Sequence, residues 1–318
     1  MTQASAQGEA CGFLPLDKPV GPTSHDAVAR ARRALGVRQV GHSGTLDPFA
    51  SGLLILAVGP ATRLLEYLSP LSKVYEATLK LGVTTETLDP EGEEREISDA
   101  WKDLGDADLR SALASFEGVQ DQVPPRFSAK KVGGLPAHRR VRAGEEVSLP
   151  PARIQIHQIE LVRWDRPNLT LRVRCSTGTY IRALARDVGD RLGTGAYLTA
   201  LRRTGIGPIS VDSALKWEGW GDSDSIQQAW LNPPQALVHL EQVEVDAEAF
   251  RRLCLGQAIA GSPLARVDLA PDPHSAPDGR RLGETRLVTC SAHPHRWVVA
   301  RQEGEQLHPQ KVVGSHAG

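Results

Sequence analysis

The run Gly52-Leu53-Leu54-Ile55-Leu56-Ala57-Val58-Gly59 constrains the fold of this chain more than any other stretch. It is continuously apolar and closed by glycine at both ends, so it reads as a buried strand. Directly before it lies Gly41-His42-Ser43-Gly44-Thr45-Leu46-Asp47-Pro48. That loop carries one carboxylate, Asp47, and the following proline ring crowds Asp47 out of helical geometry and holds it extended. Gly41, Gly44 and Gly52 permit tight turns and close approach of another backbone. A single acid shown from a rigid support is suited to act on a ligand. Taken as residues alone, the loop is equally a Gly-rich connection whose Asp caps a turn. An esterase nucleophile elbow fails because Thr45 stands where G-x-S-x-G needs its last glycine. A P-loop fails because no Gly-Lys-Ser/Thr follows.

The 318 residues suffice for one large domain and a small one. Cys11, Cys175, Cys254 and Cys290 are far apart and make no C-x-x-C pair, which argues against a disulfide framework or zinc knuckle and fits a reducing cytosol. Met1 to Ala10 is polar, with no signal core, and no apolar run approaches a membrane span. The expected location is cytoplasmic. No metal-ligand cluster and no dinucleotide fingerprint occur, so the expected cofactor is none.

The net charge of −1, read alone, argues against a nucleic-acid binder. The distribution argues for one. Arg126 to Arg142 holds Arg126, Lys130, Lys131, Arg139, Arg140 and Arg142 without an acid. Arg163 to Arg203 holds nine arginines against Asp165, Asp187 and Asp190, whereas Glu86 to Asp108 holds ten acids against Arg95 and Lys102. A basic face attracts phosphates. The acidic run reads as solvated surface.

Periodicity supplies the elements. Ser24 N-caps a helix with apolar positions Ala27, Val28, Ala31, Ala34 and Leu35, closed by Gly36. Ala61–Leu68 and Leu109–Phe116 read as short helices. In Val74–Leu81, Tyr75, Ala77, Leu79 and Leu81 alternate with polar residues, as in a half-buried strand. Leu169, Leu171, Val173 and Cys175 form a second such strand. Ile181, Leu184, Ala185, Val188 and Leu192 then recur at helical spacing, ended by Gly193. Pro124 to Ala152, rich in Pro, Gly and Arg, reads as an insertion (about 124–152) over a cleft. Pro263 to Arg286 reads as a long loop. The class is α+β.

Five segments resemble, in order, the signatures of the pseudouridine synthases, in the branch of the bacterial tRNA pseudouridine-55 synthases (TruB type). They are Asp17-Lys18-Pro19-Val20-Gly21-Pro22-Thr23-Ser24; the Asp47 loop; Lys73-Val74-Tyr75 with Leu81-Gly82, Thr85, Thr87, Asp89 and Gly92; Gln122-Val123-Pro124-Pro125 with Ser128-Ala129-Lys130; and Cys175-Ser176-Thr177-Gly178-Thr179-Tyr180-Ile181-Arg182. They cover most of residues 12 to 210. In the Asp47 motif Ser43 and Thr45 are variants and Phe49 is unusual after Asp-Pro; in the insertion, His138 stands where the family often has Tyr.

The resemblance implies a mixed, largely antiparallel sheet with flanking helices in residues 1–240. It also implies a small β-rich PUA-like RNA-binding domain in 241–318, after the Asn232-Pro233-Pro234 junction. It implies isomerisation of uridine to pseudouridine in the TΨC loop of tRNA, with no cofactor and no obligatory protein partner. Asp47 would be the nucleophile or base, Arg182 its ion-pair partner, and Tyr75 the residue stacked on the target base. Leu201 would cover the base's opposite face. His42 would fill the space left by the flipped nucleotide, a sensible use of an aromatic ring because flipping costs a few kcal/mol of unstacking. Lys18 and Pro19 would buttress the Asp47 loop. Tyr180, Lys130, Lys131, Arg202 and Arg203 complete the substrate-binding set, the last two as phosphate contacts.

Each residue also has a plainer use: Tyr75 as core packing on its strand face, Arg182 as one more phosphate contact, His42 as a loop histidine bonded to backbone. A non-catalytic RNA-binding or RNA-folding protein on the same fold is the rival function. A pure binder has no need of the Asp47, Tyr75 and Arg182 set. A guide-RNA-dependent relative is the third reading, less favoured because that branch works with partner proteins.

Overall fold

The computed structural model describes residues 10–128, 131–132, 135–136, 140, 145, 149–260, 265–267 and 284–314. Two sheets organise them. The larger has ten strands. Its path runs Leu215–Lys216, Gly12–Lys18, Ser51–Val58, Ala196–Ile206, Lys73–Leu81, Asn168–Cys175, Ala152–Asp165 and Gly118–Gln122. Val40–His42 and Ile209–Ser210 branch from that path, pairing with Ser51–Val58 and Ala196–Ile206. Two neighbour pairs are parallel, Gly12–Lys18 with Leu215–Lys216 and Ala196–Ile206 with Ser51–Val58, and the others are antiparallel.

The apolar run 52–58 lies at the centre and is buried on both faces, which explains its lack of alternation. Leu54, Leu56 and Val58 join one core with Ala77, Leu79, Leu81, Leu171, Val173, Ile181, Leu184 and Val188. Leu53, Ile55 and Ala57 join another. Helix Ser24–Leu35 packs Ala27, Val28 and Ala31 into the first core. Its cap is Thr23, one residue before the expected Ser24, because Thr23 and Asp26 exchange a complete capping box. That frees the Ser24 hydroxyl to bond the Asp47 loop. Gly36 takes the left-handed closing position, φ 65°. The expected helix 61–68 begins as a 3₁₀ segment, Gly59–Leu64, and turns α only at Leu65–Leu68. The expected helix 109–116 starts at Asp106 and ends at Ala114, with Asp108 bonding the Gly105 N–H to fix the early start.

Strand Ala196–Ile206 bridges the two halves of the sheet. It pairs along its length with Lys73–Leu81 and meets Ser51–Val58 only at Arg202↔Ser51 and Arg203↔Gly52. Gly52 makes that contact possible: it has φ +101°, and a Cβ there would lie 2.2 Å from the Arg203 carbonyl oxygen. A side chain would drive the strands apart exactly where the Asp47 loop enters the sheet.

The second sheet has six strands, ordered Ile259–Ala260, Gln306–Gly314, Arg296–Glu303, Thr285–Thr289, Glu241–Glu244 and Ala265–Val267. With helix Ala247–Cys254 it encloses a small core of Val243, Phe250, Leu253, Val288, Val298 and Leu307. The expected loop 263–286 is interrupted here. Ala265–Val267 pairs antiparallel with Glu241–Glu244, and Thr285 already belongs to a strand; residues 268–283 lie outside the described residues. In the 124–152 insertion, Lys131–Val132 and Leu135–Pro136 pair as a short hairpin. Lys130, His138, Arg139 and the side chain of Lys131 lie outside the described residues.

The sequence junction at 232–234 suggests that few contacts cross it, but the two sheets share a core. Leu287, Trp297, Val299 and Val313 of the second sheet pack in one cluster with Phe13, Leu53, Ile55 and Ile206 of the first and with Leu64 and Leu68 of the helical segment 59–68. The Arg63 guanidinium donates to the Val312 carbonyl at 3.0 Å, and Lys311 pairs with Glu66. Burial of each large apolar side chain is worth roughly 1.5–3 kcal/mol, so uncovering this face would consume much of the roughly 5–15 kcal/mol that holds a domain folded. A chain ended at Leu240 is therefore expected to aggregate or to melt far below the full protein in a thermal scan. A truncated chain that stays monomeric with an unchanged melting temperature would contradict the shared core.

Candidate active site

A cleft of about 930 Å³ opens over the ends of the central strands. It is lined by the loop 42–48, Tyr75, Thr87, Asp89, Phe127, Ser128, Ser176–Arg182, Leu201 and Arg203. Five sequence segments far apart in the chain meet here because the sheet order places strands 51–58, 196–206, 73–81 and 168–175 side by side.

The Asp47 loop is held from below by the N-terminal signature. The Ser24 hydroxyl accepts from the Leu46 N–H at 2.9 Å and donates to the Leu46 carbonyl at 3.2 Å. The Gly21 N–H donates to the Pro48 carbonyl at 2.8 Å. Lys18 is wholly buried, and its ammonium donates to the carbonyls of Pro19 and Pro22 at 2.8 and 2.9 Å. Burial and the nearby Arg203 push the Lys18 ammonium down to about 8, while Asp47 opposes the shift. Lys18 thus sits under the loop as a structural cation, and Pro19 serves through its carbonyl.

Arg182 stands in the first turn of helix Ile181–Arg191, whose Ile181, Leu184, Ala185 and Val188 are packed in the core. The amide of Gln122 clamps the residue before it, accepting from the Tyr180 N–H at 2.9 Å and donating to the Tyr180 carbonyl at 3.1 Å. Fixed in this way, the buried guanidinium divides its donors. Nε reaches Asp47 Oδ2 at 3.1 Å, and Nη1 reaches Asp89 Oδ2 at 2.8 Å and the Thr87 carbonyl at 3.1 Å. Nη2 reaches the Phe127 carbonyl at 2.9 Å.

Asp89 is 3 % exposed, although it belongs to the acidic run read as solvated surface. Its other oxygen accepts from the Thr87 hydroxyl at 2.5 Å and the Glu91 N–H at 3.1 Å. Composition could not single it out among ten acids. The spacing Thr85-x-Thr87-x-Asp89-x-x-Gly92 was the available signal: Thr85 and Thr87 hold the Asp89 turn, and a Cβ at Gly92 would lie 2.7 Å from the Thr87 hydroxyl.

Burial pushes the Asp47 carboxyl above its ordinary value; Arg182 opposes the shift, Asp89 adds to it, and Lys18 opposes it. Asp47 still reaches solvent, with its side chain 36 % exposed at the cleft floor. Tyr75 shares its strand face with Ala77, Leu79 and Leu81, packs against the core and also lines the cleft. Burial raises its phenol; the Arg203 guanidinium on the neighbouring strand acts in the opposite direction. Leu201, cross-strand from Ala77, lines the same cleft. Tyr180 does so too, its phenol also raised by burial.

His42 accepts from the Gly44 N–H on Nδ1 at 3.3 Å, and the His25 ring packs edge-on at 5.7 Å. Burial, His25 and Arg203 hold its imidazole below the ordinary value, so neutral His42 carries its proton on Nε2.

Two arginines expected as phosphate contacts behave otherwise. Arg203 is 2 % exposed and turns inward, with Nε donating to the Leu53 carbonyl at 2.7 Å and Nη2 to the Gly44 carbonyl at 3.2 Å. A strand alternates its faces, so Arg202 and Arg203 cannot both point to solvent. Arg202 does face out, but it forks onto Asp17 with two 2.9 Å bonds, beside Lys216 at 3.1 Å. Among the described residues no group of three or more His, Cys, Asp or Glu side chains could hold a metal ion. Among them, too, no helix is long and apolar enough to cross a membrane.

Comparison with known proteins follows the same lines. Residues 32–181 match the family described as TruB family pseudouridylate synthase (N terminal domain). The chain is 41% identical over 279 residues to tRNA pseudouridine synthase B of Geobacter sulfurreducens, covering 87% of this chain and 88% of that protein. It is 43% identical over 303 residues to the protein of the same name from Thermobifida fusca, covering 90% and 97%. Among solved structures, the fold resembles a chain in a Cbf5-Nop10-Gar1 complex with a TM-score of 0.68 at 24% identity, covering 95% of this chain and 84% of that one. The structural likeness establishes the mixed α+β fold with its added C-terminal sheet. The sequence identity, at this level over nearly the whole length, decides more: the chain belongs to the TruB family of pseudouridine synthases.

Proposed function

We propose that this synthase isomerises the uridine at position 55, in the TΨC loop of tRNA, with Asp47 as the reacting carboxylate. The observation that carries the reading is the 3.1 Å Asp47–Arg182 pair on the floor of a cleft that also holds Tyr75 and Leu201. The substrate class is supported by the relatives, which are named as tRNA enzymes.

The isomerisation breaks the bond from the sugar C1′ to N1 of uracil, turns the base and rejoins C1′ to C5. C5 loses a proton and N1 gains one, so the balance needs no redox partner. Asp47 is the group that acts at the sugar or the base, and a carboxylate can do so covalently. Its burial would keep it protonated at the cost of reactivity. Arg182 counters this by favouring the charged form and aims the carboxylate. Tyr75 and Leu201 hold the two faces of the loose base, and Tyr180 closes the side of the pocket.

Neutral His42 occupies the gap in the RNA loop left by the flipped nucleotide. The 124–152 insertion, with Lys130 and Lys131, grips the phosphate backbone, as does Arg202 where it can leave Asp17. In this reading residues 1–240 do the chemistry and 241–318 extend the RNA grip. No protein partner or cofactor is required, and the enzyme works in the cytoplasm.

The deciding assay incubates the purified protein with an unmodified T-arm stem-loop, without cofactor, and maps pseudouridine at single-nucleotide resolution. Modification at the position-55 uridine alone is expected; no pseudouridine, or pseudouridine only elsewhere, refutes the reading.

Asp47→Asn is expected to abolish turnover and leave RNA affinity nearly unchanged, because affinity comes mainly from phosphates. Turnover near wild type would remove Asp47 from the chemistry.

The pH profile gives a separate check. The reacting form of Asp47 is ionised, so kcat/KM falls as pH drops through its pKa. Burial raises that pKa, so the acidic limb is expected above the ordinary carboxylate range. Arg182 is the largest opposing influence, so Arg182→Met should move the limb to still higher pH as well as slow the reaction. A limb that does not move would mean that Arg182 does not govern the ionisation of Asp47.

A further inference from the structure

Arg203 is a buried cation of the site whose use is not yet explained. Arg182 has two carboxylates, Asp47 and Asp89. Lys18 caps two carbonyls below the loop. Arg203 is 2 % exposed and makes no ion pair with a carboxylate among the described residues. An unpaired buried guanidinium is costly to keep. It also burdens its neighbours, since it holds both the Lys18 ammonium and the His42 imidazole down.

What Arg203 touches is specific. It lies opposite Tyr75 in the antiparallel register, which puts the two side chains on one face of the sheet, and its charge bears on the phenol. The remaining donors go to the Leu53 carbonyl, on the strand that leaves the Asp47 loop, and to the Gly44 carbonyl, within that loop. The close approach of Arg203 to this strand depends on Gly52 having no side chain. One rigid planar group thus ties the central strand to the catalytic loop, cross-strand from the phenol.

We propose that Arg203 is a positioning residue for the isomerisation: its guanidinium ties the Tyr75 hydroxyl to the Asp47 loop and aims the phenol oxygen at the proton that C5 of the turned base must lose. The inference rests on the function proposed above. The phenolate of Tyr75 takes the C5 proton while N1 takes one from water. The phenol then returns its proton to solvent, and no net proton is consumed. When the phenol ionises, its oxygen supplies the anionic partner that Arg203 lacks. Three charged or titratable groups bear on the phenol from the surrounding elements. Arg203 on strand 196–206 favours its ionised form, whereas Cys175 on strand 168–175 and Asp47 in the loop oppose it. Arg203 is therefore the group that works against burial at this oxygen.

The test uses the full chain and a T-arm stem-loop, with Arg203→Gln and Arg203→Lys each made in the wild-type and Tyr75→Phe backgrounds. Single-turnover rates at saturating RNA, RNA affinity and the ionisation of Tyr75, followed by carbon-13 labelling of the tyrosine ring, are measured against pH. Arg203→Gln is expected to lower the rate by on the order of tenfold or more at neutral pH, within the range that a positioned base contributes. RNA affinity should not change, because Arg203 is not exposed to phosphate. The deficit should shrink as the pH rises, and the Tyr75 titration should move to higher pH. Arg203→Lys, which keeps the charge, should restore part of both.

In the Tyr75→Phe background Arg203→Gln should cost little more. An equal loss in both backgrounds, an unmoved Tyr75 titration, or weakened RNA binding with an intact rate at saturation would each overturn the proposal. If Arg203→Gln does not fold, Arg203→Lys and the titration decide it. If the wild-type protein makes no pseudouridine, the functional reading fails. The titration then still shows whether Arg203 controls Tyr75, and an unmoved titration overturns the inference independently.

Discussion

The divided guanidinium of Arg182 is the interaction on which the site depends. It lies in the first turn of a helix whose apolar face is locked into the main core, and the Gln122 amide fixes the residue before it. From that position it holds Asp47 with one edge and Asp89 with another. The two carboxylates repel each other, and each is tolerable in a desolvated cleft because the same cation lies between them. The Thr85 and Thr87 hydroxyls then orient the Asp89 turn. Aligning the one acid that reaches solvent therefore needs the 85–92 turn, the 122–128 segment and the helix at 181, three pieces of chain that only the sheet order brings together.

A second set of contacts sets the height of the Asp47 loop. Ser24, Gly21 and Lys18 support it from the N-terminal segment, and Arg203 supports it from the central strand. None of these residues except Arg203 lines the cleft. Their chemistry is hydrogen bonding to carbonyls and N–H groups that a tight loop leaves without partners, and an unmet buried backbone group costs as much as a lost hydrogen bond. The N-terminal signature is a foundation for the loop.

The second sheet is tied to this arrangement through the back of the central strand. Leu53 and Ile55 face away from the cleft and pack with Leu287, Trp297 and Val299, while Leu54 and Leu56 face the helices that carry Arg182. A single strand therefore conveys the position of the C-terminal sheet to the loop that precedes it.

The sequence by itself determined the local facts. The apolar run 52–58 had to be a strand covered on both faces, and the alternation at 73–81 and the helical spacing after Ile181 are seen in place. Five ordered motifs fixed the family and pointed to Asp47, Tyr75 and Arg182 as one set. Periodicity carries such information because it is local: it reports which face of an element must be dry.

The tertiary structure alone decided what depends on which segments become neighbours. Asp89 is one acid among ten in the run from Glu86 to Asp108 and becomes a buried counter-ion only because its turn meets the helix at 181. Arg202 and Arg203 are adjacent and alike in sequence, yet strand pleating sends one out to Asp17 and the other in to Tyr75 and Gly44. The junction at 232–234 has the composition of a sparse linker, but a shared core runs past it. Charge and burial at a site are sums over spatial neighbours, and those sums do not exist until the strands have been put in order.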